Sequence, residues 1–161
     1  MKRIIFLLTL LFALPLAATP YEVKVLGIDE ELANELLSSS LLVTLQESPP
    51  STRAGVKRRA ESDIPRLVQK LHSRGYYNAR VEIKYDFEST SNTINILIDK
   101  GVVYPLKDFS ILAEENSTPT FDFTELSLDQ IGVELNEPAT PSMIVNAEAS
   151  LLKLMDSLSY P

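Results

Sequence analysis

The chain has 161 residues, 22 of them acidic and 15 basic, for a net charge of −7, with no cysteine and one histidine. That balance argues against nucleic acid as a partner, because phosphate backbones are held by clustered Lys and Arg. The missing cysteines exclude a disulfide framework, and with His72 alone neither a zinc site nor a histidine-centred catalytic set is easily built.

Residues 1–18 read as a signal peptide. Lys2 and Arg3 form a positive start, Ile4 to Leu14 an apolar core, and Ala17-Ala18 small residues for cleavage, expected after Ala18. The apolar run is shorter than the about 20 residues of a spanning helix. Removing Lys2 and Arg3 leaves 13 basic against 22 acidic residues, a net of −9. Residues 19–104 hold 11 basic and 12 acidic groups, and residues 105–161 hold 2 and 10. This shift, with a break at Gly101 to Pro105, divides the expected mature chain into two units, 19–104 and 105–161.

In chain order, a strand is expected at Tyr21 to Leu26, ended by Gly27. Asp29 is placed to cap a helix whose apolar face is Leu32, Leu36 and Leu37, with Leu41, Leu42 and Leu45 continuing it. Ser48-Pro49-Pro50-Ser51 is a loop. A second helical stretch runs from about Arg53 to Arg74 with Pro65 inside it. Either Ser62 or Asp63 caps a fresh helix there, or one longer helix bends. Ile64, Leu67, Val68 and Leu71 mark its apolar face, and Gly75 stands where a left-handed cap belongs, so that Tyr76 folds back onto Leu71. Ala79, Val81, Ile83, Tyr85 and Phe87 alternate with Arg80, Glu82, Lys84 and Asp86, and Ile94, Ile96 and Ile98 alternate in turn. Across the turn Glu88 to Asn92 these runs predict an antiparallel hairpin.

The second unit begins the same order again. Lys107 to Ala113 is a strand candidate, Phe121 to Leu128 a short helix and Ile131 to Pro138 a connector. Pro141 to Leu158 is an amphipathic helix, with Ile144, Ala147, Leu151, Leu154, Met155 and Leu158 on one face and Pro141 in its first turn. No hairpin follows, so residues 105–161 are expected to be poorly ordered alone, with an apolar helix face uncovered.

Strand-helix-helix-strand-strand, begun twice after a signal peptide, resembles the polypeptide-transport-associated (POTRA) domain. More narrowly, it is similar to the start of a TamA-like outer-membrane assembly factor of the BamA/TamA superfamily. The residues that carry this are Val23 to Gly27, Leu71 through Gly75-Tyr76-Tyr77, and Ile94 to Gly101. In the second unit they are Glu137 to Pro141 with Ala147-Glu148 and Leu151-Leu152. Ser159 departs from the glycine that the pattern prefers before its aromatic. The resemblance implies an α+β fold, a three-stranded sheet with two helices, followed by an incomplete strand-helix-helix module. It implies an exported scaffold at the periplasmic face of the outer membrane that docks unfolded outer-membrane clients or an assembly partner, with no catalysis, cofactor or metal. The family's membrane barrel is not within these 161 residues, and truncation after Pro161 is the expectation.

Two candidate partner-binding sets follow. The strand bearing Arg80, Glu82, Lys84 and Asp86 could pair client segments at a sheet edge through main-chain hydrogen bonds; the same charges also suit a plain solvated edge that resists aggregation. Lys57, Arg58 and Arg59, with Arg53, Arg66, Lys70 and Arg74, could meet an acidic surface or simply form a solvated helix face. The Gly75-Tyr76-Tyr77 element reads as structural. Glu114-Glu115 reads as a solvated acidic loop, and Asn116-Ser117-Thr118 as a chance match to a glycosylation acceptor. Two-partner-secretion transporters and division proteins carry the same module and are alternatives of the same class. A small secreted hydrolase using Asp or Glu is the alternative of another class, and no catalytic constellation supports it.

Overall fold

A computed structural model describes residues 18–88, 91–112, 123 and 126–158. The expected signal segment, Glu114-Glu115 and Asn116 to Thr118 lie outside the described residues, apart from Ala18 at the expected cut. The fold is α+β. Strand β1 (Glu22–Leu26) leads to helix α1 (Glu30–Ser38), a single turn α2 (Leu41–Thr44) and the long helix α3 (Arg53–Ser73), then the strands β2 (Arg80–Phe87) and β3 (Asn92–Asp99). Helix α4 (Pro141–Ser157) comes last, preceded by a 3-10 turn at Leu128–Ile131.

The strands form one open sheet in the order β1-β3-β2. β1 runs parallel to β3, with Val23 opposite Ile94 and Val25 opposite Ile96; β2 runs antiparallel, with Tyr85 opposite Ile94 and Ile83 opposite Ile96. The apolar residues of all three strands therefore share one face, as the period of two requires. Leu36, Leu42, Val56, Ala60, Leu67 and Leu71 cover that face from the helices and are fully buried or nearly so. Gly27 leaves β1 at φ +95°, where an added Cβ would lie 2.1 Å from the carbonyl oxygen of Ile98. Only glycine fits that approach.

Asp29 caps α1 by accepting the Leu32 N–H at 3.0 Å. The leucines at 41, 42 and 45 do not continue α1. The helix stops at Ser39, and Ser40 starts α2 as a new cap. The cause is Asp63, fully buried on α3. Its carboxylate accepts the Ser40 hydroxyl at 2.6 Å and the N–H groups of Leu41 and Leu42 at 2.8 and 2.9 Å. The side chain placed as a possible cap for its own helix thus caps a neighbouring one, and α3 runs unbroken through Pro65. At its exit, Gly75 (φ +85°) donates to the His72 carbonyl and Tyr76 to that of Leu71, the paired closure expected there.

Beyond β3 the expected strand at Lys107 to Ala113 is absent over 107–112, and Ala113 is outside the described residues. What forms is a short antiparallel clasp: Leu106 N–H donates to Glu137, Asn136 to Leu106 and Ala139 to Tyr104, around a bridge between Pro105 and Pro138. Proline has no N–H for a ladder, so two prolines face to face stop it from growing. The expected helix over Phe121 to Leu128 falls largely outside the described residues, and its end enters the 3-10 turn. Thr140 caps α4 with Pro141 in the first turn. Ile131, Val133 and Ala147 form a second, smaller buried cluster with Leu151 and Met143 packed on it. Ile144 and Leu158, expected on the buried face of α4, are exposed, as are Val145 and Leu152.

Candidate docking edge

Among the described residues β2 has a sheet neighbour on one side only. Its hairpin register continues into the turn, where the Glu88 N–H donates to the Ser91 carbonyl at 3.0 Å, so residues 88 and 91 form a hydrogen-bonded pair. Such pairs alternate along an antiparallel ladder. Arg80, Glu82, Lys84 and Asp86 therefore spend their main-chain groups on β3, while Val81, Ile83 and Tyr85 turn theirs outward. Among the described residues nothing outside the hairpin bonds to the main chain of residues 81–87. The other edge differs. The chain entering β1 is tied to the loop after α2, with Thr19 N–H donating to Pro50 at 2.9 Å and the Gln46 side chain to Tyr21 at 3.0 Å.

The four charged candidates of β2 are exposed on the face away from the helices. Lys84 and Glu82 stand 3.8 Å apart, both largely solvated, a contact of little worth by itself. The remaining three candidates separate. Lys57 faces the edge, its ammonium 5.1 Å from the Tyr85 ring centre and 5.7 Å from that of Phe87. Arg53 stacks on Phe87 at 5.4 Å and donates to the Glu88 carbonyl at 2.7 Å. Burial under this cover pushes the Tyr85 phenol up, with Glu61 adding to the shift. Arg59 points the other way and is structural. It donates to the carbonyls of Leu45 and Ser48 and to the Tyr21 hydroxyl, fastening the loop after α2. Arg58 is exposed and makes no hydrogen bond or ion pair among the described residues. Lys70 and Arg74 both bind Glu35, at 2.7 and 2.6 Å, and Arg74 foremost holds that carboxyl below the usual carboxylate range. The basic run is thus not one patch, and of its members the structure brings Lys57 and Arg53 to β2.

A joint at the helix exit has no signal in the sequence. Tyr77 donates to the Ala139 carbonyl at 2.7 Å, Asn78 donates to the Tyr104 hydroxyl, and the Tyr77 and Tyr104 rings meet at a tilt of 58° with centroids 6.3 Å apart. Tyr76 closes α3 while Tyr77 ties it to the clasp before α4. Adjacent tyrosines after a capping glycine signal such a division of labour only once the partner strand is known.

A groove of about 520 Å³ opens on the charged face between Leu26, Gly27, Arg80, Glu82, Leu97 and Asp99. Among the described residues no group of three or more His, Asp or Glu is placed to hold a metal ion, and no helix is long and apolar enough to cross a membrane.

No protein-family model matches the chain, and no curated protein sequence does. Among solved structures it is similar to POTRA domains 3–5 of BamA from Haemophilus influenzae, at 19% identity and a TM-score of 0.42 over 86% of this chain and 50% of that one. It is also similar to BamA from Haemophilus ducreyi lacking POTRA domains 1–3, at 22% identity and a TM-score of 0.46, over 84% of this chain and 24% of that one. The chain thus spans half the length of the first structure and about a quarter of the second.

Proposed function

We propose that this chain is a periplasmic scaffold region of an outer-membrane assembly or translocation factor of TamA-like type. Residues 19–104 would form one complete POTRA-like module and 105–161 part of a second. It acts by docking extended client or partner polypeptides rather than by catalysis. The observation that carries this reading is the free edge of β2, with the outward donors and acceptors of Val81, Ile83 and Tyr85 beside a half-buried apolar flank. An incoming strand gains main-chain hydrogen bonds there irrespective of its sequence. Its alternate side chains extend the apolar row of Val81, Ile83, Tyr85 and Phe87 beneath Lys57 and Arg53.

The test is a photo-crosslinking residue in place of Glu82, in cells producing the chain. Capture of exported polypeptides, lost on Ile83→Pro, is the expected result. That substitution removes one outward donor and leaves the β3 ladder intact. Equal capture with and without the proline would show that clients do not use this edge.

A further inference from the structure

Sheet edges recruit whatever strand fits them, and the strongest candidate on this molecule is β2 itself. Read along the exposed face, the charges run Arg80, Glu82, Lys84, Asp86: positive, negative, positive, negative. Reversed, the order is negative, positive, negative, positive. An antiparallel copy centred on Ile83 therefore places Arg80 opposite Asp86 of the second copy and Glu82 opposite its Lys84, and both pairs recur by symmetry. Shifting the register by two residues in one direction sets Glu82 against Glu82 and Arg80 against Lys84. In the other direction it sets Lys84 against Lys84 and Glu82 against Asp86. Like charges directly opposite destabilise a strand pair.

The hydrogen bonding sets an independent condition that this register meets: it excludes every odd shift and leaves the choice among the even ones to the charges. The outward main-chain groups belong to the odd-numbered residues, because Glu88 and Ser91 fix the even-numbered ones on β3. A ladder between two copies must then pair odd with odd, as the arrangement centred on Ile83 does: Ile83 with Ile83, Val81 with Tyr85. The charged residues fall at the alternate pairs, where opposing side chains come closest. On the helix side the same pairing sets Val81 of each copy against the other's Tyr85, apolar on apolar.

We infer that β2 is a self-complementary edge, through which two copies of this chain join as a twofold dimer with one six-stranded sheet. The inference rests on the free edge described above, but its occupant is a second copy. Such an interface is isologous and closes on itself, so it covers the edge without starting a filament.

Sedimentation equilibrium of the full chain over a range of concentrations tests this, with Glu82→Lys, Lys84→Glu and the double exchange. Each single exchange turns both symmetry-related attractive pairs into repulsions, and the dimer should weaken by about tenfold to a hundredfold. The double exchange restores opposite charges at every pair and should recover the dimer. A monomer at all concentrations overturns the inference, as does a dimer indifferent to the exchanges or a double exchange no better than the singles. Photo-capture at Glu82 of polypeptides other than this chain separates the two readings: a monomeric chain that still captures them loses the dimer but keeps the docking edge.

Discussion

Asp63 offers the sharpest test of how this fold is held. The carboxylate is fully buried and accepts three hydrogen bonds, from the Ser40 hydroxyl and the Leu41 and Leu42 N–H groups. In Asp63→Ala, Leu42 keeps a second acceptor, the Ser40 oxygen at 3.1 Å, but the Leu41 N–H and the Ser40 hydroxyl lose theirs. Two abandoned donors at about 1–3 kcal/mol each give a cost of about 2–6 kcal/mol. Asp63→Asn keeps one acceptor and turns an amide N–H₂ toward a donor, so it should fall between wild type and alanine. Urea unfolding of the full chain followed by circular dichroism measures both, with the slope against denaturant unchanged. In a double-mutant cycle with Ser40→Ala the two losses should couple by about 1 kcal/mol or more. A cost below about 1 kcal/mol for Asp63→Ala, or strict additivity in the cycle, would refute the claim that this carboxylate holds α2 in place.

Gly27→Ala should destabilise by at least about 3 kcal/mol, since it combines a left-handed φ with a Cβ 2.1 Å from the Ile98 oxygen; thermal unfolding reads this, and a near-neutral result would mean that β1 does not approach β3 as described. Glu35→Gln should cost about 0.5–1 kcal/mol near neutrality, because its ion pairs with Lys70 and Arg74 are partly solvated. The Glu35 carboxyl titrates below its ordinary range in the folded chain, so this stabilisation is present above that range and is lost as the pH falls through the lowered value. Stability curves of wild type and Glu35→Gln should therefore converge in acid, and also in high salt. Tyr77→Phe removes only the bond to the Ala139 carbonyl; amide hydrogen exchange should quicken at Leu106 and Ala139 while the β3 amides stay protected.

The first part of the chain was legible because its signals are local. Period-two alternation in β2 and β3, the Asp29 cap and the closure around Gly75 each lie within a few residues, and each formed as expected. The failures share one cause, a partner distant in sequence. Leu41, Leu42 and Leu45 continue a helical pattern, yet a carboxylate 22 residues on from Leu41 starts a new turn. Arg59 looked like one cation in a basic run, but its guanidinium is directed onto main-chain carbonyls at 45 and 48. Lys107 to Ile111 alternates like a strand, but the neighbouring backbone meets Pro138 and its surroundings in a clasp too short to grow. The charges of β2 were visible in the sequence from the start. Their direction across the sheet needed the register.

A guest strand and a second copy of the chain would use the same outward groups of Val81, Ile83 and Tyr85, so the two bind in competition. Only the fraction of chain with a free edge can accept a guest, and the apparent affinity falls by that fraction. An apolar, uncharged peptide of alternating pattern should thus bind more weakly as the chain is concentrated into its dimer range. Glu82→Lys should remove this dependence, because it weakens the copy-to-copy pairing and leaves the main-chain edge open. Ile83→Pro should weaken both kinds of binding, since it deletes a donor that both require. Peptide titrations at two chain concentrations, one on each side of the dimer transition, decide the matter. Equal affinity at both concentrations, with the dimer present at the higher one, would show that guest and copy occupy different surfaces.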